Sequence, residues 1–332
     1  MIDTKRMIRR GSSVLVALGL GLSLSASAET LRFGGNFSVD HSSTKAMELF
    51  AEELEKISGA DVKAQLFPAM QLGGAKENID QVRSGAVMGT WIGISYLSRT
   101  VPELEAVSLP FAFSTRQQAF DVIDGKVGDV LNEKLAEKGF IALGYMELGF
   151  RHVTNNTRAI SSLEDFQGLK LRLQPNQTHL ATMRSVGANP VSMGIKEVYG
   201  ALQQGVLDGQ ENPYSIISTK RFDEVQTYLS DTGHFYDFIV VAANLKKFNK
   251  LSSDRQQAVR DAMATAVAWQ RAKAAEEDTA ARDELVKRGM IFTPISDDLR
   301  AQLKARSHGV VDDLKAKIGD EVINTVMLEL NK

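Results

Sequence analysis

The chain has 332 residues, no cysteine and a formal net charge of −2 at pH 7. The lack of cysteine excludes thiol catalysis and thiolate metal sites. The slightly acidic balance argues against a nucleic-acid-binding protein, which needs a basic face. A chain of this length favours two domains over one.

The first 28 residues have the pattern of a secretory signal peptide. Basic residues precede an apolar run at Val14–Leu24, and Ala26-Ser27-Ala28 matches a cleavage site. The run is too short for a spanning helix, which needs roughly 20 apolar residues. We therefore predict a signal peptide over 1–28 and export to the periplasm; an uncleaved membrane anchor is the alternative.

The first half of the mature chain alternates strand and helix patterns. The predicted strands are Leu31–Phe33, Val62–Leu66, Val87–Ile92 and Phe140–Met146. The predicted helices run from Ser42 or Ser43 to Ile57, from Lys76 to Ser84 and from Val127 to Lys138, with a capping box at Ser114 and Gln117 ahead of a further helix. Such alternation is typical of βα crossovers and a largely parallel sheet.

The pattern then restarts, which indicates a second unit. Leu171–Leu173 is a predicted strand and Gln177–Val186 a predicted helix. Phe235–Ala243 is a long apolar strand that could pass from one unit to the other.

The stretch from Ser252 to Arg288 contains no glycine and no proline, and Ser253 with Gln256 forms a capping box. A helix of that extent would be roughly 50 Å long. A compact domain of half this chain is only roughly 30–40 Å across. A continuous helix would therefore lie along both units; two helices with a kink near Thr279 are the alternative.

The stretch Gly194–Pro213 combines a helix pattern, a closing glycine and a polar end. We expect the helix to stop at Gly205, a short strand at Val206-Leu207, and a turn at Asp208-Gly209. The polar residues Gln210, Glu211 and Asn212 then follow a strand end, where open α/β sheets bind ligands. An ordinary loop is the alternative interpretation.

Two arginines and one asparagine are candidate anion contacts. Arg172 alternates with Leu171 and Leu173, and a guanidinium on an apolar strand needs an anionic partner, either a ligand carboxylate or an internal Asp or Glu. Arg151 is a second anion contact or a surface charge. Asn212 either binds a ligand or caps the helix that begins near Pro213.

The run EVYGALQQGVLDGQENP, which ends at Pro213, resembles the signature of the solute-binding proteins of TRAP transporters, the DctP type. Further stretches agree with that family in chain order: FGGNFSVDHSSTKA, FPAMQLGG, SLPFAF, GFRHVTNNTRAI, LEDFQGLKLRL, VGANPVSM and FDEVQTYLS. The resemblance covers nearly the whole mature chain.

The resemblance implies an α/β, two-lobed, periplasmic-binding-protein-like fold, with a cleft between the lobes and a long C-terminal helix spanning both. Lobe I would take residues 29–149 plus 238–277. Lobe II would take residues 150–237 plus 278–332. The chain would cross between the lobes near residues 150 and 238.

The resemblance also implies site residues. The arginine that matches Arg172 binds the ligand carboxylate in family members, and the positions of Arg151 and Asn212 line the cleft. Asn36 falls at the N-terminal contact of the family. These four positions match by motif.

Two positions depart from the family pattern. An aromatic residue often found where Ile195 stands is missing, and the acidic contact of sialic-acid-binding relatives would fall near Gly93, which disfavours sialic acid. Trp91, Ser95 and Tyr96 are then candidate specificity residues, with core packing as the alternative for Trp91.

The function implied is periplasmic capture of a small organic acid by hinge closure and its delivery to a TRAP permease, by a monomer without cofactor or metal. The ligand class stays open between sugar acids and C4-dicarboxylates. Two alternatives remain: a sensory protein that presents the acid to a membrane receptor, and an exported hydrolase or lyase. The sequence contains no GxSxG motif and no metal-ligand spacing among its histidines, which disfavours the enzyme.

Overall fold

The computed structural model describes residues 28–330, so the predicted signal peptide lies outside the described residues except for Ala28. The strands are β1 Glu29–Gly35, β2 Val62–Phe67, β3 Gly89–Gly93, β4 Phe140–Asn155, β5 Lys170–Leu173, β6 Asn189–Ser192, β7 Gly209–Asn212, β8 Tyr228–Asn244 and β9 Ile291–Pro294. The helices are α1 Ser42–Ile57, α2 Ala75–Ser84, α3 Arg116–Asp124, α4 Lys126–Glu137, α5 Gln177–Ser185, α6 Ile195–Gln203, α7 Tyr214–Thr219, α8 Leu245–Phe248, α9 Ser253–Lys287, α10 Asp297–Arg306, α11 His308–Ile318 and α12 Asp320–Leu330.

The described strands form one mixed sheet in the order β2-β1-β3-β8-β4-β7-β5-β6, with β9 paired to β8. Strands β2, β1 and β3 are parallel to one another, and so are β7, β5 and β6. The antiparallel pair β4 and β8 stands between these two sets and pairs with both. The two longest strands therefore connect the two halves of the sheet.

The two-lobed arrangement expected from the sequence is present. Two apolar clusters fill lobe I, one beneath α3, α4 and α12 and one between β1, α1 and the first half of α9. Two more fill lobe II, around α5 and α10 and around α6 and α7. Helix α12 packs on α3 and α4, which the predicted boundaries place in lobe I, although they place α12 in lobe II. The boundaries themselves stay a prediction.

Helix starts follow the expected capping chemistry with shifts of about one residue. Thr115, not Ser114, is the N-cap of α3, and Gln118, not Gln117, accepts from the Ser114 N–H. Ser252, not Ser253, caps α9, and the His41 side chain caps α1. Several neighbouring polar residues can fill a cap, so sequence patterns leave its position uncertain by a residue.

The long C-terminal helix is one uninterrupted element, so the alternative of two helices that meet near Thr279 is wrong. Helix α9 has 35 residues, which corresponds to roughly 50 Å. Gln270 of α9 fastens it to β4: its amide accepts from the Glu147 N–H and donates to the Glu147 carbonyl, both at 2.8 Å. The helix is thereby joined to a connecting strand at its crossing between the lobes.

The predicted strand at Val206-Leu207 is wrong. Those residues lie in the turn after α6, and the strand is β7, Gly209–Asn212. Backbone pairing with β4 and β5 holds this polar segment extended, although its side chains have low intrinsic strand propensity. Its polar residues therefore belong to the sheet and not to a loop after it.

Glu147 is a buried carboxylate at the crossing, beside a register shift between β4 and β8. Its Oε1 lies 3.4 Å from Arg116 Nη2, and Arg116 also reaches Asp278 of α9 at 3.5 Å. Burial raises the pKa of Glu147 to about 7, against the opposing effect of Arg116 and together with repulsion from Asp278. The folded state thus favours the protonated carboxyl.

We expect Glu147→Gln to remove a pH dependence of stability. A raised folded-state pKa means that the folded chain binds more protons between the unfolded value of 4.5 and about 7, so stability falls as pH rises through that window. The wild type should lose up to ~3 kcal/mol of unfolding free energy there, and Glu147→Gln should not. Urea titrations at pH 4.5 to 8 measure this, with the exposed Glu137→Gln as control. An unchanged slope in Glu147→Gln would contradict the assignment.

Candidate ligand-binding site

A small cavity lies between the lobes beside the connecting strands. Its volume is about 30 Å³, which is room for about one or two water molecules. The residues that line it are Asn36, Phe37, Gly93, Tyr96, Leu148, Gln174, Ile195, Asn212, Ile216 and Lys220. Both lobes contribute to this list, so an organic acid can enter only if the lobes separate.

Arg172 lies one side chain behind the cavity wall. Leu171 and Leu173 enter the lobe II core, as expected, and Arg172 leaves the opposite face of β5 fully buried. Its Nε donates to the Met193 carbonyl at 2.8 Å, and its Nη2 donates to the hydroxyl of the cavity residue Tyr96 at 2.9 Å.

Among the residues that the structure describes, Arg172 lacks the carboxylate partner that a buried arginine ordinarily has. Within residues 28–330 no carboxylate lies within ion-pair distance of it, and Nη1 is buried without a hydrogen-bond partner. The internal salt bridge that the sequence left open is therefore wrong. Because Nε is already used, an added carboxylate would meet the end of the guanidinium fork, at Nη1 and Nη2.

Arg151, by contrast, is neutralised internally, so the surface-charge alternative is wrong. It is fully buried, and its Nε and Nη2 pair with both carboxylate oxygens of Glu211. Its Nη1 lies 3.3 Å from Asp237 Oδ2, and Nη2 also donates to Asn212 Oδ1 at 3.1 Å. Its role as a direct ligand contact stays a prediction; what the geometry provides is support for Asn212.

Arg151, Glu211, Asp237 and His234 form a buried ion-pair cluster, and burial and pairing set the pKa values of its members. Burial acts to raise the pKa of Glu211, but Arg151 and His234 outweigh it and hold the pKa well below its ordinary value. Burial raises the pKa of Asp237, against the opposing effect of Arg151. Burial also lowers the pKa of His234, although Glu211 opposes this. The cluster therefore carries Arg151 and Glu211 as a charged pair.

The two predicted asparagines line the cavity from opposite lobes. Asn212 donates to Gln210 and accepts from Arg151, so its side chain is held in place from behind. The N-cap of α7 is Pro213, so the helix-capping role for Asn212 is wrong. Asn36 is 5% exposed, and neither its amide oxygen nor its amide nitrogen has a hydrogen-bond partner in the described part of the chain.

The three candidate specificity residues separate. Tyr96 lines the cavity. Ser95 lies outside the wall and contacts Asp237 Oδ2 at 3.4 Å. Trp91 is buried in the lobe I core against Gly35, where an added Cβ would lie 2.0 Å from the indole ring. The packing alternative for Trp91 thus has direct support, and ligand contact by Trp91 and Ser95 stays a prediction.

Both departures from the family pattern open the cavity. A Cβ at Gly93 would come within 3.0 Å of Gln174 Oε1 and 3.6 Å of Tyr96, so any larger residue there would narrow the space. Ile195 lines the same wall without an aromatic ring.

Sequence reasoning missed Lys220 and Asp237, whereas it named Gln174–Thr178 as a stretch that discriminates between ligands. Gln174 donates to Asp237 Oδ2 at 2.7 Å, which links the cavity wall to the ion-pair cluster. A lone carboxylate inside the apolar run Phe235–Ala243 was a usable signal for Asp237. Lys220 gave no signal, because it sits beside the exposed Arg221 at a helix end.

Comparison with known proteins decides the family. The family model for bacterial extracellular solute-binding protein, family 7 (DctP), matches residues 33–317. The chain belongs to this family. The 2,3-diketo-L-gulonate-binding periplasmic protein YiaO of Escherichia coli is 34% identical over 80% of this chain and 81% of its own. The C4-dicarboxylate-binding periplasmic protein DctP of Rhodobacter capsulatus is 31% identical over 93% of this chain and 94% of its own.

Among solved structures, the sugar acid-binding protein DctPAm of Advenella mimigardefordensis, in complex with galactonate, matches with a TM-score of 0.89 and 34% identity. The match covers 92% of this chain and 98% of that one. The structural similarity to this solved relative therefore covers nearly the whole two-lobed fold. Within residues 28–330, no helix is long and apolar enough to cross a membrane, and no group of three or more His, Asp or Glu side chains could hold a metal ion.

We expect Glu211→Gln to destabilise the fold strongly. The change removes one charge of a fully buried pair and leaves Arg151 under-compensated, which typically costs about 3–5 kcal/mol. Urea unfolding without ligand measures the loss. The matched control is Asp283→Asn, whose partner Arg282 is exposed and whose pair should contribute less than about 1 kcal/mol. Equal stabilities for the two variants would contradict the structural role of the cluster.

Proposed function

We propose that this protein captures a small organic acid between its lobes in the periplasm and delivers it to the membrane permease of a TRAP transporter. The observation that carries the proposal is the state of Arg172: a buried guanidinium at the interlobe cavity whose Nη1 has no hydrogen-bond partner, and which has no carboxylate partner, among residues 28–330. A buried cation left unpaired is costly, so a site of this kind is completed by an anionic ligand.

The likeness to relatives supports the chemical class. Relatives carry names that state binding of 2,3-diketo-L-gulonate and of C4-dicarboxylates, and a solved relative holds galactonate. All three ligands are small carboxylates. The carboxylate anchor at Arg172 is common to both sugar acids and dicarboxylates.

Binding would proceed by hinge closure. The ligand enters while the lobes are apart, its carboxylate pairs with Arg172 of lobe II, and contacts to Tyr96 and Asn36 of lobe I complete the closed state. The ligand shifts this equilibrium by its differential affinity for the closed over the open state. Strands β4 and β8 and helix α9 cross between the lobes and would carry the bend.

The protein would act as a monomer and release its ligand chemically unchanged to the permease. Its role is transport and not catalysis, in keeping with its membership of a solute-binding family. Incubation of the protein with its acid, followed by mass spectrometry of the acid, tests this directly: a converted product would assign an enzyme.

We expect Arg172→Ala to abolish most of the binding. In a thermal-shift screen of residues 29–332 against organic acids and uncharged sugars, the acid that binds raises the melting temperature. In Arg172→Ala the affinity for that acid should fall by about 2–5 kcal/mol, because a charge-assisted pair in a dry site is lost.

Arg172→Lys is the companion variant. Lysine keeps the charge but cannot donate to Met193 and to a carboxylate in the same fork, so it should recover only part of the affinity in calorimetric titration. Near-normal affinity in Arg172→Lys would contradict the fork. A shift with neutral sugars that survives Arg172→Ala would contradict carboxylate capture altogether.

A further inference from the structure

We propose that Lys220 and Asn36 form a hydroxyl-recognising subsite in the cavity, so that the ligand is a hydroxylated carboxylic acid of the sugar-acid class and not a plain dicarboxylate. This inference rests on the proposed function and deepens it. Arg172 would bind the carboxylate of the ligand, and Lys220 and Asn36 would form hydrogen bonds with its hydroxyl groups.

Lys220 is a half-buried cation that lacks an anionic partner. It follows α7 directly and lines the cavity. Its one hydrogen-bond contact is long, 3.5 Å from Nζ to the backbone carbonyl of Asn36 across the cleft. No carboxylate within residues 28–330 lies within ion-pair distance of it, and burial lowers the pKa of this lysine. Its ammonium donors are therefore available to a ligand.

The neighbouring groups add no second charge at this end. The pKa of His41 is lowered to about 3, first by burial and then by Lys220, so its ring is neutral at physiological pH. His41 is already engaged as the cap of α1 and stacks on Phe37 at 4.8 Å between ring centroids. Lys220 is the cation at this wall of the cavity.

Asn36 decides between a hydroxyl and a carboxylate. Its side-chain oxygen and nitrogen are both buried without partners, so the amide needs one donor and one acceptor from the ligand. This need does not depend on which way the amide is turned. A carboxylate only accepts, and it would leave the amide oxygen facing another oxygen. A hydroxyl donates to the amide oxygen and accepts from Lys220 or from the amide nitrogen.

The shape of the wall agrees with this reading. Gly93 has no side chain, and a Cβ there would come within 3.0 Å of Gln174 Oε1, so the glycine keeps this part of the cavity free for a ligand group. Arg151 does not compete for a second carboxylate, because Glu211 and Asp237 already neutralise it. The positive charge available to a ligand is thus Arg172, directly behind the cavity residue Tyr96, and Lys220, which lines the cavity.

The test uses acids matched in carbon number. The four-carbon set is D-erythronate, succinate and butyrate, and the six-carbon set is D-galactonate, adipate and hexanoate. Isothermal titration of the wild type should show that, in at least one set, the polyhydroxy acid binds at least 10-fold more tightly than the other two. Lys220→Met should weaken that acid about 10- to 100-fold, the range expected for lost hydrogen bonds to a charged group. Asn36→Leu should weaken it similarly.

The controls separate recognition from folding. Lys56→Met, at a lysine side chain that is 75% exposed on α1, should change nothing. Lys220→Met should keep or raise the melting temperature without ligand, because it removes a cation without an anionic partner. A merely structural lysine would lower that temperature together with the affinity.

Four results overturn the proposal. If a dicarboxylate binds most tightly, or if Lys220→Met binds the preferred acid as the wild type does, the subsite is wrong while carboxylate capture stands. If no acid of either length binds, or if binding survives Arg172→Ala, the proposed function itself fails and the subsite falls with it.

Discussion

The antiparallel pairing of β4 with β8 is the constraint on which the rest of the structure depends. These strands, 16 and 17 residues long, together join the two parallel sets of the sheet, because β8 pairs with β3 and β4 pairs with β7. Two of their three register shifts, at Glu147/Gly149 and at Arg151/Val153, lie beside the crossing between the lobes, and the cavity opens beside that crossing. A site built at the junction of two lobes is completed only when the lobes meet, which is the geometry a capture protein needs.

The cations near the cavity differ in whether a carboxylate of the protein neutralises them. Arg151 is as deeply buried as Arg172, yet Glu211 and Asp237 compensate it within the protein. Among the described residues Arg172 and Lys220 have only neutral partners, and each contacts a residue of the opposite lobe, Tyr96 or Asn36. The compensated arginine would stabilise the scaffold, while the two uncompensated cations would interact with the ligand.

Much of the fold could be predicted from local pattern. The helices of the first half, the strand that contains Arg172 and the long C-terminal helix follow from apolar periodicity and the placement of glycine and proline. The error at Val206-Leu207 has a physical cause: β7 is formed by pairing with β4 and β5, and tertiary pairing overrides the low strand propensity of Gln210, Glu211 and Asn212.

The candidate site was predictable only in part. Resemblance placed Asn36, Tyr96 and Asn212, which line the cavity, and Arg172 directly behind it. It also placed Arg151, but no local pattern could show that a glutamate 60 residues later would neutralise this arginine. Lys220 was not predicted for a similar reason, because no local pattern shows that the folded structure leaves this lysine without a carboxylate partner among residues 28–330.

The most direct test of the account is the interlobe distance with and without ligand. The chain contains no cysteine, so Val39→Cys in lobe I and Val206→Cys in lobe II, both at exposed positions, give a pair of spin labels without background. The distance distribution from pulsed electron paramagnetic resonance should include an open population without ligand. With the acid that binds most tightly, it should collapse to a single closed distance in the wild type but not in Arg172→Ala. A distribution that saturating ligand leaves unchanged would contradict capture by closure.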